Sequence, residues 1–290
     1  MIASSPRLLA RALRLTVFGL VASFPLAAFA QTSKPTSAEQ VERLIGSAQL
    51  GRPPVLWFGS DPKINLGSGP AGWTADSGGQ LAARSPDAWG RQGAAFGLAA
   101  EAKGGVAVSG STTLGPHKGP INPKSGTVLF FFRPGENSAP PMLLFSRADW
   151  GNPNYLSLRI NAVGGRWELT LAVADTRASA KATQANFATL QPGAWTFVAL
   201  AWQENAGLCR FRYWAGDLAT GELTEGEHDT TPLDPTPGIF TIAGRRADNI
   251  AKYGTAPLLF SGGLLHHFAI YDDALSEDAV KRIYLAACLR

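Results

Sequence analysis

The sequence predicts an all-β fold, in which two antiparallel sheets pack as a jelly-roll sandwich and one short C-terminal helix closes the domain. Strand-like segments recur at intervals of roughly 8–14 residues without helices between them, as in sandwiches and jelly rolls. The composition agrees, since 32 Gly and 20 Pro accompany a charged content of only 17%. Such a balance is typical of turn-rich β proteins and not of helical bundles.

The clearest strands begin at residue 126. Residues 126–133 are continuously apolar, as expected of a central strand buried on both faces. Residues 156–160 alternate, so that Ser157 and Arg159 should face outward. A Gly-Gly turn at 164–165 then predicts a hairpin with a return strand of the same alternation. Nine or ten strands of this kind support one large sandwich.

The first thirty residues have the features of a cleavable signal peptide. Arg7, Arg11 and Arg14 precede an apolar run over residues 15–30, which ends in a small-x-small site before position 31. This run is shorter than the roughly 20 residues that a membrane-spanning helix needs. A retained membrane anchor is the alternative. We expect cleavage after Ala30 and a secreted or periplasmic protein with no membrane span in the mature chain.

Two further segments follow the expected cleavage site. Residues 31–52 form a polar leader with a possible short helix, for which Ser37 is the expected N-cap. Whether this helix packs on the domain or belongs to a mobile leader stays open. Residues 53–290 show no repeat and no break, and they should fold as one domain.

The charge balance argues against nucleic acid as a partner. The whole chain has 26 Lys+Arg and 22 Asp+Glu, but residues 1–30 contain three of the arginines and none of the acids. The mature chain therefore carries 23 basic and 22 acidic residues, a formal charge of +1. A nucleic-acid-binding protein is expected to keep a basic stripe, and none is visible.

Cys209 and Cys288 are the only cysteines. Export would permit a disulfide bond. Cys209 alternates with outward residues of a strand, and Cys288 lies on the apolar stripe of the terminal helix, so both side chains should point inward. We expect a bridge between helix and sheet; two buried free thiols are the alternative.

Four segments occur in an order that resembles a known family. They are "GRQGAAF", "GTVLFFFRP", "PGAWTFVALAWQ" and the terminal "FSGGLLHHFAIYDDALSEDAV". Over residues 55–289 the chain resembles the laminin-G-like members of the concanavalin A-like lectin/glucanase superfamily. The resemblance implies the same jelly-roll sandwich and a terminal helix that acts as a structural closure. Ser276 should cap that helix, with Glu277 and Asp278 favourable near its positive end.

Adjacent histidines stand in the last predicted strand. Successive side chains of a strand point to opposite faces, so His266 and His267 should not form one paired site. We expect one ring to be packed inside and the other to lie at the surface. His117 and His228 lie at no spacing that would recruit them as further metal ligands.

Three acids at alternate positions are the strongest catalytic candidates. In a strand, Glu225, Glu227 and Asp229 would share one face, and retaining glycosidases need two carboxyl groups about 5–5.5 Å apart. However, no neighbouring apolar residues would raise the pKa of one of them. The pattern favours a solvated edge or loop, and no catalytic residue is predicted. No G-x-S-x-G motif or exposed cysteine supports nucleophilic catalysis.

The resemblance also makes calcium possible, because members of the superfamily bind it through loop oxygens. Asp248 with Asn249, or Asp149 with Asn152 and Asn154, could contribute ligands. No loop has a convincing calcium-binding spacing, so no cofactor is certain, calcium stays possible and the metal ligands stay unknown.

A polar loop between two predicted strands is the best candidate for sugar binding. Aromatic rings can stack on sugars, and amides can bond their hydroxyl groups. The loop offers both, in Trp150, Asn152, Asn154 and Tyr155. Trp73 and Trp89 occupy similar loops. The alternative is that each loop tryptophan plugs an end of the sandwich.

These observations predict an exported, non-catalytic binding or adhesion module for extracellular carbohydrate. A glycan-cleaving enzyme, either a glycosidase or a polysaccharide lyase, is an alternative on the same scaffold, since a fold does not fix an activity. A structural protein-interaction domain is the second alternative. The expected partner is accordingly an extracellular glycan or a cell-surface protein.

Overall fold

A computed structural model gives the fold. It describes residues 36–47, 52–59, 66, 74–76, 81–98, 102–109, 121–147, 155–174, 182–235, 240–245, 250 and 256–288. The chain divides into two compact units, Met1–Lys34 and Pro35–Arg290. The first unit, and with it the segment predicted to be a signal peptide, lies outside the described residues.

Within the described residues the second unit contains fifteen strands and two long helices. The helices are α1 (Ser37–Gly46) and α2 (Glu277–Cys288). The strands are β1 (Leu56–Phe58), β2 (Thr74–Asp76), β3 (Leu81–Ser85), β4 (Ala95–Leu98), β5 (Val106–Ser109), β6 (Ser125–Arg133), β7 (Met142–Arg147), β8 (Leu156–Val163), β9 (Arg166–Ala174), β10 (Ala182–Leu190), β11 (Thr196–Asn205), β12 (Leu208–Asp217), β13 (Leu223–Thr230), β14 (Phe240–Ile242) and β15 (Leu264–Tyr271).

The strands form two sheets. The order in the first sheet is β13-β12-β11-β6-β15-β4-β3, with β1 also paired to β15. The order in the second sheet is β10-β9-β8-β7-β14-β5-β2. Every strand pair among the described residues is antiparallel. The predicted two-sheet antiparallel sandwich is confirmed.

Aromatic rings fill the space between the sheets. Phe268 of the first sheet stacks on its neighbour Phe130 at 5.0 Å between ring centroids. Phe145 and Phe240 of the second sheet stack at 5.5 Å, and Phe145 meets Phe268 edge-on at 6.2 Å. These separations are those that aromatic pairs prefer. The apolar half of each strand's alternation therefore builds one shared core.

The outer face of the first sheet is also apolar, and α2 covers it. Ile283 and Tyr284 of α2 pack with Phe131 and Phe197 of that face. The Tyr284 hydroxyl lies 3.0 Å from the carbonyl oxygen of Asp217, at the end of β12, and 2.9 Å from that of Glu222, just before β13. Ser276 caps the helix, since its Oγ accepts the Ala279 N–H at 3.2 Å. The expected C-terminal helix, with its expected cap, is confirmed.

Helix α1 covers another part of the same face. It begins with a capping box, in which Thr36 and Glu39 each bond the other's backbone N–H. The N-cap is thus Thr36, one residue before the predicted Ser37. Val41 and Ile45 are fully buried against the sheet. Of the two possibilities left open for this segment, the structure shows the packed helix.

The expected disulfide bond is absent: no S–S bond joins Cys209 to Cys288, and both side chains are thiols. Cys209 points inward from β12 and is fully buried between the sheets. Cys288 lies on α2, which packs on the opposite, outer face of the same sheet. The prediction was right that both side chains face apolar groups, but the first sheet separates the two thiols. Burial raises the pKa of the Cys209 thiol to about 12.

No helix among the described residues is long and apolar enough to cross a membrane.

Candidate functional site

The outer face of the second sheet is polar, unlike that of the first. Strands β7, β8, β9, β10 and β14 turn most of their apolar residues to the core and most of their polar residues outward. The exceptions include Ala172 and Ala174, which pack with Tyr155 outside the core, and Arg147, which lies opposite Phe240. We call the outward polar residues the polar face: Ser146, Ser157, Arg159, Asn161, Glu168, Thr170, Gln184, Asn186 and Thr241. The face consists of hydroxyl, amide, guanidinium and carboxylate groups.

A hydrogen-bonded relay crosses three strands of the polar face. The Nδ2 of Asn161 donates to the Oγ1 of Thr170 at 2.8 Å. The Thr170 hydroxyl donates in turn to the Oδ1 of Asn186 at 2.7 Å. The relay thus has one direction, from β8 through β9 to β10. It leaves the Oδ1 of Asn161 to accept and the Nδ2 of Asn186 to donate.

Two further bonds fix neighbouring side chains. The guanidinium of Arg159 donates to the Oε1 of Gln184 at 2.6 Å. Ser146 and Thr241 share a hydrogen bond of 2.8 Å between their hydroxyl oxygens. The polar face is therefore ordered before any ligand arrives.

Exposure varies across the polar face. Ser157 and Thr170 are fully buried. Gln184 and Asn186 on β10 are exposed, and Asn161 is half-buried. A ligand could consequently reach the two amides at the ends of the relay, whereas the central hydroxyl of Thr170 acts to hold them.

The predicted sugar-binding loop adjoins this face in the chain, since residues 148–154 connect β7 to β8. Trp150, Asn152 and Asn154 lie outside the described residues. Tyr155 is only 4% exposed and packs with Ala172 and Ala174 of β9. Both sets of possible calcium ligands also lie entirely outside the described residues: Asp149, Asn152 and Asn154, and Asp248 and Asn249. The structure therefore leaves these predictions as they stood.

Sequence reasoning missed the polar face as a site. It did place Ser157 and Arg159 outward, which was a usable signal. However, the relay also needs Asn186 of β10 to lie opposite Thr170 of β9, and this depends on the register in which the two strands pair. That register follows from strand pairing and not from the alternation within one strand.

The prediction that the two histidines point to opposite faces is wrong. Both rings are fully buried and stack at 3.8 Å between centroids, on the outer side of the first sheet. The cause is a β-bulge: His266 pairs with Phe131 and Ala269 with Leu129, so three steps in β15 oppose two in β6. His267, with φ of 51°, is one of the residues within the bulge.

Charged groups surround this pair. The Asp87 carboxylate lies 3.8 Å from the Nδ1 of His266, and the Glu42 carboxylate lies 3.6 Å from the Nε2 of His267. Arg91 binds both carboxylates, at 2.6 Å and 2.7 Å. Even so, no group of three His, Cys, Asp or Glu side chains in the described part of the chain could hold a metal ion.

Trp89, a possible sugar-stacking residue, lies beside the histidines. Its ring packs edge-on against Phe131 and His266. Its Nε1 donates to the carbonyl of Ala287 in α2 at 3.1 Å. These contacts give Trp89 a packing role between a loop, a helix and the sheet.

The three acids of the catalytic candidate lie on β13, the edge strand of the first sheet, and are exposed. Lys281 of α2 binds Glu225 at 2.8 Å, and this hydrogen bond holds the pKa of Glu225 below its usual value. Arg210 binds Asp229 through two bonds of 2.8 Å and 2.9 Å, which lower the pKa of Asp229. A catalytic acid needs the opposite shift.

A cleft of about 490 Å³ lies on the outer face of the first sheet, beside the start of α2. Its lining includes Asn205, Leu208 and Arg210. Within this cleft the Arg210 guanidinium is already bound by Asp229.

Comparison with known proteins places the chain in a family. Residues 107–281 match the laminin G-like family model described as the concanavalin A-like lectin/glucanases superfamily. Among proteins with curated descriptions, none matches.

Several solved structures are similar to the chain. The CBM40 module of Ruminococcus gnavus IT-sialidase, bound to α2,3-sialyllactose, is 18% identical with a TM-score of 0.40 and covers 56% of this chain and 83% of its own. A carbohydrate esterase of the Shiga toxin-encoding bacteriophage phi24B is 15% identical, with a TM-score of 0.46. The match covers 77% of this chain and 100% of the esterase chain. The LG1-3 region of the laminin α2 chain is 15% identical, with a TM-score of 0.37. The match covers 52% of this chain and 28% of the laminin chain. Because the family match spans more than half of the 290 residues, and the two antiparallel sheets agree with it, the chain belongs to the laminin G-like group of the concanavalin A-like lectin/glucanases superfamily.

Proposed function

We propose that the protein is exported and binds extracellular carbohydrate as a non-catalytic module, with the sugar on the polar face. The observation that carries this proposal is the relay from Asn161 through Thr170 to Asn186, which ends in accessible amides. The superfamily includes both lectins and glucanases, so membership alone does not choose between binding and cleavage.

The chemistry of the relay suits a sugar. Each hydroxyl of a sugar can donate one hydrogen bond and accept others. Asn161 offers an acceptor and Asn186 offers donors, so separate hydroxyl groups of a glycan could bond the two ends of the relay. Because the buried Thr170 already fixes the two amides, little side-chain entropy remains to be lost on binding.

An aromatic surface would complete the site. The proposal assigns this role to Trp150, with Asn152 and Asn154 as further polar contacts, because their loop leads directly into β8. Tyr155 would support the loop from below through its packing on β9. Stacking on an aromatic ring adds to amide hydrogen bonds in sugar sites, which combine apolar walls with few polar groups.

The paired state of the acids on β13 supports binding over cleavage. A retaining glycosidase needs one carboxylic acid with a raised pKa beside a second carboxylate. Glu225 and Asp229 instead have lowered pKa values on an exposed edge. The glycan-cleaving alternative therefore has no supporting pair on this strand.

The test is a glycan array with the purified protein, with and without calcium, followed by calorimetry on the best ligand. Asn186→Ala removes one end of the relay at an exposed position. We expect roughly tenfold weaker binding, because one hydrogen bond to the sugar is lost and the sugar hydroxyl that made it is left unpaired. Asn205→Ala is the matched control, since it removes an exposed amide from the cleft of the first sheet.

Three outcomes decide the proposal. Weaker binding by Asn186→Ala alone supports the polar face. Weaker binding by Asn205→Ala alone keeps the carbohydrate function but overturns the assigned site. If no glycan binds and none is cleaved, the carbohydrate function itself is wrong, and the protein-interaction alternative gains.

A further inference from the structure

The stacked His266–His267 pair lies where the first sheet, helix α1 and the turn after β3 meet. The bulge in β15 brings both rings to the outer side of the sheet. Asn, Asp and His are the side chains that best tolerate positive φ outside glycine, and His267 adopts φ of 51° there. The sequence therefore builds a buried pair of titratable rings directly beneath α1.

The neighbours of the pair determine its protonation. The Nε1–H of Trp57 donates to the Nδ1 of His267 at 3.3 Å. The Nη2 of Arg91 lies 3.4 Å from the Nε2 of His266, and a guanidinium can only donate. One nitrogen of each ring is thus an acceptor, so both rings are neutral. The protons are therefore on the Nδ1 of His266, which faces Asp87, and on the Nε2 of His267, which faces Glu42.

Helix α1 is bound to this cluster through Glu42. The Glu42 carboxylate accepts from Arg91 at 2.7 Å and lies beside the N–H of His267. On the apolar side, Val41 and Ile45 are buried, and the hydroxyl of Tyr271 donates to the Ile45 carbonyl at 2.9 Å. The docking of α1 thus combines an apolar stripe with one polar contact to the histidine cluster.

We propose that the His266–His267 pair is an acid-sensitive latch, which holds α1 on the first sheet while both rings are neutral and releases it when they take up protons. A proton on either ring would replace the acceptor that Trp57 or Arg91 uses. It would also place a second positive charge beside Arg91, with the partner ring only 3.8 Å away.

The charged groups around the pair do not offset this cost. Glu42 faces it from α1, and Asp87 and Arg91 face it from the turn after β3; Trp57, Trp89 and Phe131 add only uncharged contacts. Burial lowers the pKa of His266 to about 3 and that of His267 well below its usual value. For the pKa of His266, burial outweighs the opposing effect of Asp87, and Arg91 lowers the pKa further. For the pKa of His267, burial is reinforced by His266 and Arg91.

The sign of the effect follows from proton linkage. A histidine exposed by release of α1 titrates near 6.5, whereas a ring in the closed state stays neutral well below that pH. The open state therefore binds up to two more protons as pH falls below 6.5, and docking weakens. For two rings, the equilibrium constant for opening should rise about 10⁴-fold between pH 7.5 and pH 4.5.

Hydrogen exchange across α1 measures this constant. We expect the logarithm of the opening constant, after correction for intrinsic exchange, to rise by about two for each unit by which the pH falls near pH 5. His267→Asn should reduce this slope to about one, and asparagine is chosen because it tolerates the left-handed backbone. His228→Asn, on the far edge strand β13, is the control and should leave the slope at about two.

Two results would overturn the latch. One is protection of α1 that does not change with pH. The other is an unchanged slope in both His267→Asn and His266→Gln, which would assign the acid response to Glu42 or Asp87. If a variant does not fold, nitrogen NMR of the two imidazoles in the unaltered protein decides instead: two neutral rings at pH 5.5 support the latch, and a charged ring contradicts it.

Discussion

Gly126 lies opposite Trp202 where β6 pairs with β11, and the pair offers a sharp test of packing. An alanine methyl at Gly126 would overlap Cζ2 of the indole and lie 2.8 Å from its Cη2. The ring has no free path, because it is 1% exposed and its Nε1 donates to the Asn122 carbonyl at 2.9 Å. Gly126→Ala must therefore shift the indole or the sheet.

The expected loss of stability has two parts. Overpacking in a closely packed core costs about 1–3 kcal/mol, and a lost indole hydrogen bond adds about 1 kcal/mol. We expect Gly126→Ala to lower the free energy of unfolding by about 2–4 kcal/mol, measured by urea denaturation at pH 7.5. For a domain of this size, that corresponds to a fall in Tm of roughly 4–16 °C.

A double-mutant cycle identifies the cause. Trp202→Phe removes the atoms that the new methyl would meet, so Gly126→Ala should cost at least about 1 kcal/mol less in that background. A single variant within about 0.5 kcal/mol of the original protein would refute the argument. Equal losses in both backgrounds would show that the cost arises from the backbone and not from the indole.

Two further predictions concern the core. Phe268→Ala should lower the free energy of unfolding by about 3–5 kcal/mol, because the ring is fully buried among Phe130, Phe145 and Phe240. The control is Leu285→Ala, at a position 61% exposed, which should change this free energy by less than about 0.5 kcal/mol. In the native protein a thiol reagent should modify Cys288 and leave Cys209 unmodified, and both should react in denaturant. If the denatured chain reacts only after a reducing agent is added, the two cysteines are joined by a disulfide bond and the structural result is wrong.

Alternation predicted the strands of the core well, because each strand has one face towards a dry interior. The pattern placed Cys209 inward and Cys288 on the buried stripe of α2, and both placements hold. It could not reveal which face of the sheet α2 covers, because the first sheet is apolar on both sides. That missing fact made the disulfide bond look possible.

The histidine prediction failed for a different reason. Strict alternation assigns His266 and His267 to opposite faces, and only the pairing of β15 with β6 reveals the extra residue. Each half of "LLHHFAIY" keeps its own alternation, with Leu265 and Phe268 both in the core. The sequence therefore contains the evidence for a bulge, but only when both halves are required to face the same interior.

The bulge also separates two parts of β15 that pair with different strands. On one side this strand has two successive neighbours: Leu265 lies against β4, while Phe268, Ala269 and Ile270 lie against β1. Removing His267, the extra residue, would restore one-to-one pairing with β6 and leave Phe268 and Ile270 facing the interior. The core between the sheets therefore does not need this residue. What the extra position supplies is a second imidazole on the helix side of the sheet, beneath α1.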